Sequence, residues 1–174
     1  MRVTVRKNVF ETNSSSTHSI AISKNTPTEF PKSITFSKGE YGWECEEYSV
    51  PDYLYTAITE SPHEGEYLEK LKQTLDKNGI EYSFDTDESW YPGIDHGYEL
   101  EDFLEAVFSD EDLLLRCLFG EGTVYTGNDN AGYTEEDARG CLIAESEYWD
   151  SEKQTYVENP YHDGQNYDYF YKGN

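Results

Sequence analysis

Apolar positions alternate near the start of the chain and recur at helical spacing in its middle. Val3, Val5, Val9 and Phe10 fall in a run rich in β-branched residues, which predicts a strand over residues 2–10. The next stretch, ETNSSSTHSI, is polar and rich in Ser, Thr and Asn, and predicts a loop. Ile20 and Ile22 alternate with small residues, a second strand over 19–23. Pro27 and Pro31 mark a connection over 24–32, and Ile34 and Phe36 a third short strand.

Pro51 opens a short helix that places Leu54, Ala57 and Ile58 on one side. Ser61-Pro62-His63-Glu64 has the pattern of a capping box, and Tyr67, Leu68, Leu71 and Leu75 follow at helical spacing. Asn78-Gly79 ends that helix, and residues 80–84 read as a strand. Leu100, Phe103, Leu104, Val107 and Phe108 mark another helix. Ser109 and Asp112 are candidate caps for one more, which carries Leu113, Leu114, Cys117 and Leu118 and stops before Gly120. A short strand over 123–125 leads into a Gly/Asn/Asp turn. Thr134 and Asp137 read as a helix start, while residues 141–144 suit a strand. After residue 150 there is no helical stripe, and Tyr167, Tyr169 and Tyr171 alternate as an edge strand would.

These elements predict an α+β fold in one domain over residues 1–150. It has a small mixed or antiparallel sheet and roughly three to five helices. Residues 1–38 form its mildly basic, β-rich N-terminal part. Residues 151–174 are a Tyr/Asn/Asp-rich C-terminal extension or edge strand. The length of 174 residues suits one domain with a real core.

Charge changes the picture most. Lys and Arg total 13 against 36 Asp and Glu, a formal net charge of −23. Disordered acidic chains lack aromatics, but here 16% of residues are aromatic, so a folded, anionic body is expected. The acidity argues against unaided binding to DNA, RNA or an anionic membrane. Residues 1–38 hold six basic residues against two acidic ones, a balance of +4. The remainder holds 7 against 34, a balance of −27. The two parts are therefore expected to meet different partners, or different regions of one. No apolar run reaches membrane-spanning length, and the N-terminus does not read as a secretory signal. Cys45, Cys117 and Cys141 are widely spaced and odd in number, which points to a reduced, cytoplasmic setting.

Candidate chemistry concentrates in the polar loop over 11–18. Glu11, Asn13, Ser14, Ser15, Ser16 and His18 bring a carboxylate, an amide, hydroxyls and an imidazole close together. His18 has an ordinary pKa near 6.5, suited to moving a proton at neutral pH. Glu11 suits orienting it, accepting a proton, or holding a metal. Asn13 and the serines suit a phosphate or developing oxyanion, with Arg6 and Lys7 to neutralise it. The same Ser/Thr/Asn run is equally the composition of an ordinary turn. A second cluster, Thr126, Asn128, Asp129 and Asn130 around Gly127, suits either a partner loop to the first or a plain hairpin turn. A hard divalent cation between the two loops is one use of those oxygens. His63, His96 and His162 form no paired ligand spacing, and no phosphate-binding glycine motif occurs.

The string Arg6-Lys7-Asn8-Val9-Phe10-Glu11-Thr12-Asn13-Ser14-Ser15-Ser16-Thr17-His18-Ser19 resembles the opening of a set of small, acidic phage and mobile-element proteins of Gram-positive bacteria. Cys117-Leu118-Phe119-Gly120 followed by Thr126-Gly127-Asn128-Asp129-Asn130 resembles a second block of that set. Part of the set is similar to type II anti-CRISPR inhibitors, including a kind associated with truncating guide RNA. The resemblance implies a cytoplasmic protein of an infected bacterial cell. Its partner would be a CRISPR effector nuclease, or another basic nucleic-acid-binding protein, with RNA reached only through that partner. Glu11, His18 and Ser14 would then form the catalytic group of a partner-dependent ribonuclease. Asn13, Ser15, Ser16, Arg6, Lys7, Asn128, Asp129 and Asn130 would surround the phosphate. The alternative is a non-enzymatic, stoichiometric inhibitor whose acidic surface mimics a nucleic-acid backbone. An unrelated phosphate-directed enzyme, acidic only for solubility, is a third reading.

Overall fold

A computed structural model describes residues 16–85, 93–95, 97–128 and 134–173. The strand expected over 2–10 lies outside the described residues. So do Arg6, Lys7, Glu11, Asn13, Ser14, Ser15, Asp129 and Asn130. In chain order the described residues form β1 (Ser16–Ser23), β2 (Ser33–Phe36), β3 (Glu40–Tyr41), β4 (Glu47–Tyr48), α1 (Val50–Glu60), α2 (Glu64–Lys77), β5 (Glu81–Phe84) and β6 (Gly93–Ile94). A 3-10 turn over Gly97–Leu100 leads into α3 (Glu101–Ser109), α4 (Glu111–Phe119), β7 (Gly122–Asn128), α5 (Glu135–Arg139), β8 (Glu147–Asp150), β9 (Thr155–Glu158) and β10 (Tyr167–Lys172).

Every residue of β1 is buried, which makes this strand the spine of the molecule. It lies inside a four-stranded antiparallel sheet of order β10-β1-β7-β4. Three two-stranded ladders complete an α+β architecture, as the sequence predicts. Strand alternation gives β1 two different faces. His18, Ile20 and Ile22 join the main core with Tyr53, Leu54 and Ile58 of α1 and Leu114 and Leu118 of α4. Ser19, on the opposite face, donates from Oγ to the Cys141 carbonyl at 2.5 Å. A smaller cluster of Ala138, Cys141, Leu142 and Tyr148 packs beyond it. The sheet is thus enclosed from both sides, by α1 and α4 on one and by the chain around residues 138–148 on the other.

The helices follow their apolar stripes. α2 buries Tyr67, Leu71 and Leu75. It ends in a Schellman motif, with Gly79 N–H donating to the Asp76 carbonyl and Ile80 N–H to that of Leu75. Gly79 has φ +68°, a conformation that disfavours a side chain.

Several local expectations are corrected. No capping box forms at Ser61. Its Oγ accepts from His63 N–H at 3.0 Å and donates to Glu101 Oε1 at 2.6 Å, tying the end of α1 to α3. Asp110, rather than Ser109 or Asp112, caps α4 by accepting from the N–H groups of Asp112 and Leu113. A carboxylate one residue closer to the helix outcompetes the hydroxyl, since its charge also favours the helix N-terminus. Residues 141–144 form turns instead of a strand. Thr134 and Asp137 do form a capping box, and the alternating tyrosines lie in β10 at the sheet edge. Among the described residues no helix is long and apolar enough to cross a membrane.

Candidate functional site

The described parts of the two polar segments, residues 16–18 and 126–128, come together as paired strands. Ser16 opposes Asn128, Thr17 opposes Gly127 and His18 opposes Thr126. The first loop was expected to run past His18 and the second to begin at Thr126. β1 takes in Ser16, Thr17 and His18 ahead of the expected strand start, and β7 continues through Thr126, Gly127 and Asn128 where a turn was expected. Main-chain pairing satisfies the backbone groups of buried residues, and this overrides the local turn preference of Ser, Thr, Gly and Asn.

His18 is fully buried. Its Nε2 lies 2.8 Å from the Gly42 carbonyl, which only accepts, so Nε2 carries the proton and donates. Nδ1 then accepts from the Tyr53 hydroxyl at 2.8 Å. Burial pushes the imidazole pKa down from 6.5 to about 4, and the charge of Lys172 pushes the same way. The Gly42 hydrogen bond and Asp95 oppose both. His18 is therefore neutral at physiological pH, with both nitrogens engaged. The expectation of an open, loop-borne proton carrier is corrected for this residue. The ring is a crossbar joining β1, α1 and the chain at Gly42.

Ser16 is the entry point of the described chain, and it too is buried. Its N–H donates to Asp95 Oδ2 at 3.2 Å. Lys172 Nζ, 1% exposed, donates to the Ser16 carbonyl at 2.7 Å and to Ser16 Oγ at 2.8 Å. Tyr53, Asp95 and Lys172 escape sequence reasoning because their partners lie far along the chain. The Lys172–Ser16 contact, for instance, spans 156 residues. Only the Tyr-x-Tyr-x-Tyr alternation hints that Lys172 belongs to a strand.

Beside Thr126 lies a groove of about 590 Å³ that includes Cys45, Cys141, Glu136 and Asp137. Burial, reinforced by Asp137, raises both thiols, Cys141 to about 12. Both stay protonated at neutral pH and are weak nucleophiles. Among the described residues no group of three or more His, Cys, Asp or Glu is placed to hold a metal ion. His162 donates from Nδ1 to the Ile143 carbonyl at 2.9 Å and stacks on Tyr169, a packing role.

The electrostatic signature lies on the surface. None of the Asp or Glu residues whose side chains are described is buried. Two cations, Arg116 and Lys172, are committed inside the molecule. Arg116, 7% exposed, bridges Asp112, Asp168 and the Ser23 carbonyl, and Lys172 is enclosed. Lys70, Lys77 and Lys153 pair with Glu66, Glu111 and Asp150. What remains facing solvent is predominantly carboxylate. Comparison with known proteins gives no family model, no curated protein and no solved structure that matches this chain.

Proposed function

We propose that this protein is a binding inhibitor: its acid-rich body occupies a cationic nucleic-acid channel in the place of a phosphate backbone. The observation that carries this reading is the asymmetry of burial. Arg116 and Lys172 are buried and Lys24, Lys70, Lys77 and Lys153 pair with carboxylates, while no Asp or Glu whose side chain is described is buried. A net charge of −23 attracts a basic surface over a screening length of about 8 Å at physiological salt. The resemblance of residues 6–19 to anti-CRISPR inhibitors supports a guide-RNA effector nuclease as partner, since such an effector holds its heteroduplex in a positively charged channel.

The rival reading is guide-RNA cleavage through the 11–18 loop. It asks His18 to exchange protons with a substrate. The enclosed ring, with both nitrogens hydrogen-bonded, favours the binding reading over it.

The two readings are separated by incubating the protein with an effector–guide complex, sizing the RNA and measuring target-DNA binding. Full-length RNA with lost DNA binding is expected. Shortened RNA with DNA binding otherwise unaffected would overturn the proposal.

A further inference from the structure

The outer face of the β8–β9 hairpin sets two exposed rings beside two carboxylates. Trp149 opposes Tyr156, and Glu147 opposes Glu158. Alternation along the strands turns Tyr148 and Val157 toward the smaller core and leaves the other four outside. Trp149 is 38% and Tyr156 67% exposed, and their rings meet edge to face with centroids 5.4 Å apart.

The ring pair supports the ladder, but the arrangement leaves part of both rings in water and two like charges opposed. Large rings left in water forgo the gain from burial, and like charges directly opposite one another on a ladder repel. The hairpin has its own cation, but Lys153 is engaged by Asp150 at 2.7 Å. Among the described residues, no cation pairs with Glu147 or Glu158.

One chemical group satisfies both halves. A guanidinium is flat and cationic, so it stacks on an aromatic face while its N–H fork reaches a carboxylate. The molecule already sets one guanidinium over a tyrosine ring. Arg139 lies over the Tyr161 ring, 5.3 Å from its centroid, and the Tyr161 hydroxyl donates to Glu135. A lysine ammonium matches the charge but not the plane.

We propose that the outer face of the β8–β9 hairpin docks an arginine-bearing segment of the partner protein. Trp149 and Tyr156 form the stacking platform, and Glu147 and Glu158 the charge partners. The inference rests on the binding reading above and specifies where on the molecule that binding is centred.

The test titrates isotope-labelled full-length protein with a short arginine–glycine repeat peptide and, in parallel, with its lysine–glycine counterpart. The Trp149 indole N–H and the backbone amides of the hairpin should shift first. The arginine peptide should bind more tightly than the lysine peptide. Trp149→Ala with Tyr156→Ala should weaken arginine-peptide binding about tenfold. Glu147→Gln with Glu158→Gln, which keeps both rings, provides a second variant and should weaken both peptides. Thermal unfolding of each variant establishes that the fold is intact. An arginine peptide that binds the ring-less variant as tightly as the native protein, or whose shifts map to another face, overturns this inference alone. Failure of both peptides to bind also overturns this inference, while the binding reading stands or falls on the effector titration.

Discussion

The Tyr53 hydroxyl donates to His18 Nδ1 at 2.8 Å, and with that contact the most reactive-looking side chain of the sequence becomes part of the scaffold. Both residues are fully buried, so the bond has no water to replace it. Tyr53→Phe leaves Nδ1 without a donor in the interior. The expected loss is about 1–3 kcal/mol of unfolding free energy, read from urea denaturation. A variant as stable as the native protein would mean the bond contributes nothing.

Protonation of His18 tests the same site through pH. The folded pKa of about 4 lies below the unfolded value of 6.5, so the unfolded chain binds more protons between those limits. The stability associated with a neutral His18 is fully present above pH 6.5 and is lost as pH falls toward 4. The difference corresponds to roughly 3 kcal/mol. His18→Gln removes the titrating group. Its stability relative to the native protein should therefore rise across that interval, as followed by thermal unfolding in matched buffers.

Gly127 shows how tightly the second polar segment is built in. A Cβ there would run into Cys141 Sγ and lie 2.6 Å from Cys141 Cβ. Gly127→Ala is expected to cost about 1–3 kcal/mol through overpacking. The cost should shrink in a Cys141→Gly background, where both opposing atoms are gone. A double-mutant cycle measures this coupling, and strict additivity would show that the residues do not interact.

Arg116 fastens the C-terminal strand to the helical layer. Its Nη1 donates to Asp168 Oδ2 at 2.7 Å and to the Ser23 carbonyl at 3.1 Å. Asp168 is partly solvated, which weakens the ionic share. Arg116→Met should cost roughly 1–3 kcal/mol, with faster amide exchange in β10 as the local signature.

The contrast between His18 and the helices shows what the sequence makes legible. The stripe of Tyr67, Leu71 and Leu75 and the Asn78-Gly79 stop depend on neighbours within a few turns, so local pattern suffices to place α2. The alternation of Ile20 and Ile22 locates the centre of β1 for the same reason. Ser16, Thr17 and His18 read as loop because their polarity is matched only by groups distant in sequence: Asp95, Lys172, Tyr53 and the Gly42 carbonyl. A buried polar residue and a solvent-facing one have the same letter, and only the partner distinguishes them. The ladder between β1 and β7 is non-local in the same way. The turn-forming residues suit either a partner loop or a plain hairpin turn, and the relation of the two segments as adjacent strands is not visible from them.

The most direct test of the central claim is an equilibrium titration of the protein into a guide-RNA effector nuclease at salt concentrations from about 50 to about 200 mM, with and without bound target DNA. The account predicts an affinity that falls steeply as salt rises and a complex that does not form once DNA fills the channel. An affinity indifferent to salt, or simultaneous binding of inhibitor and DNA to one effector, would contradict it.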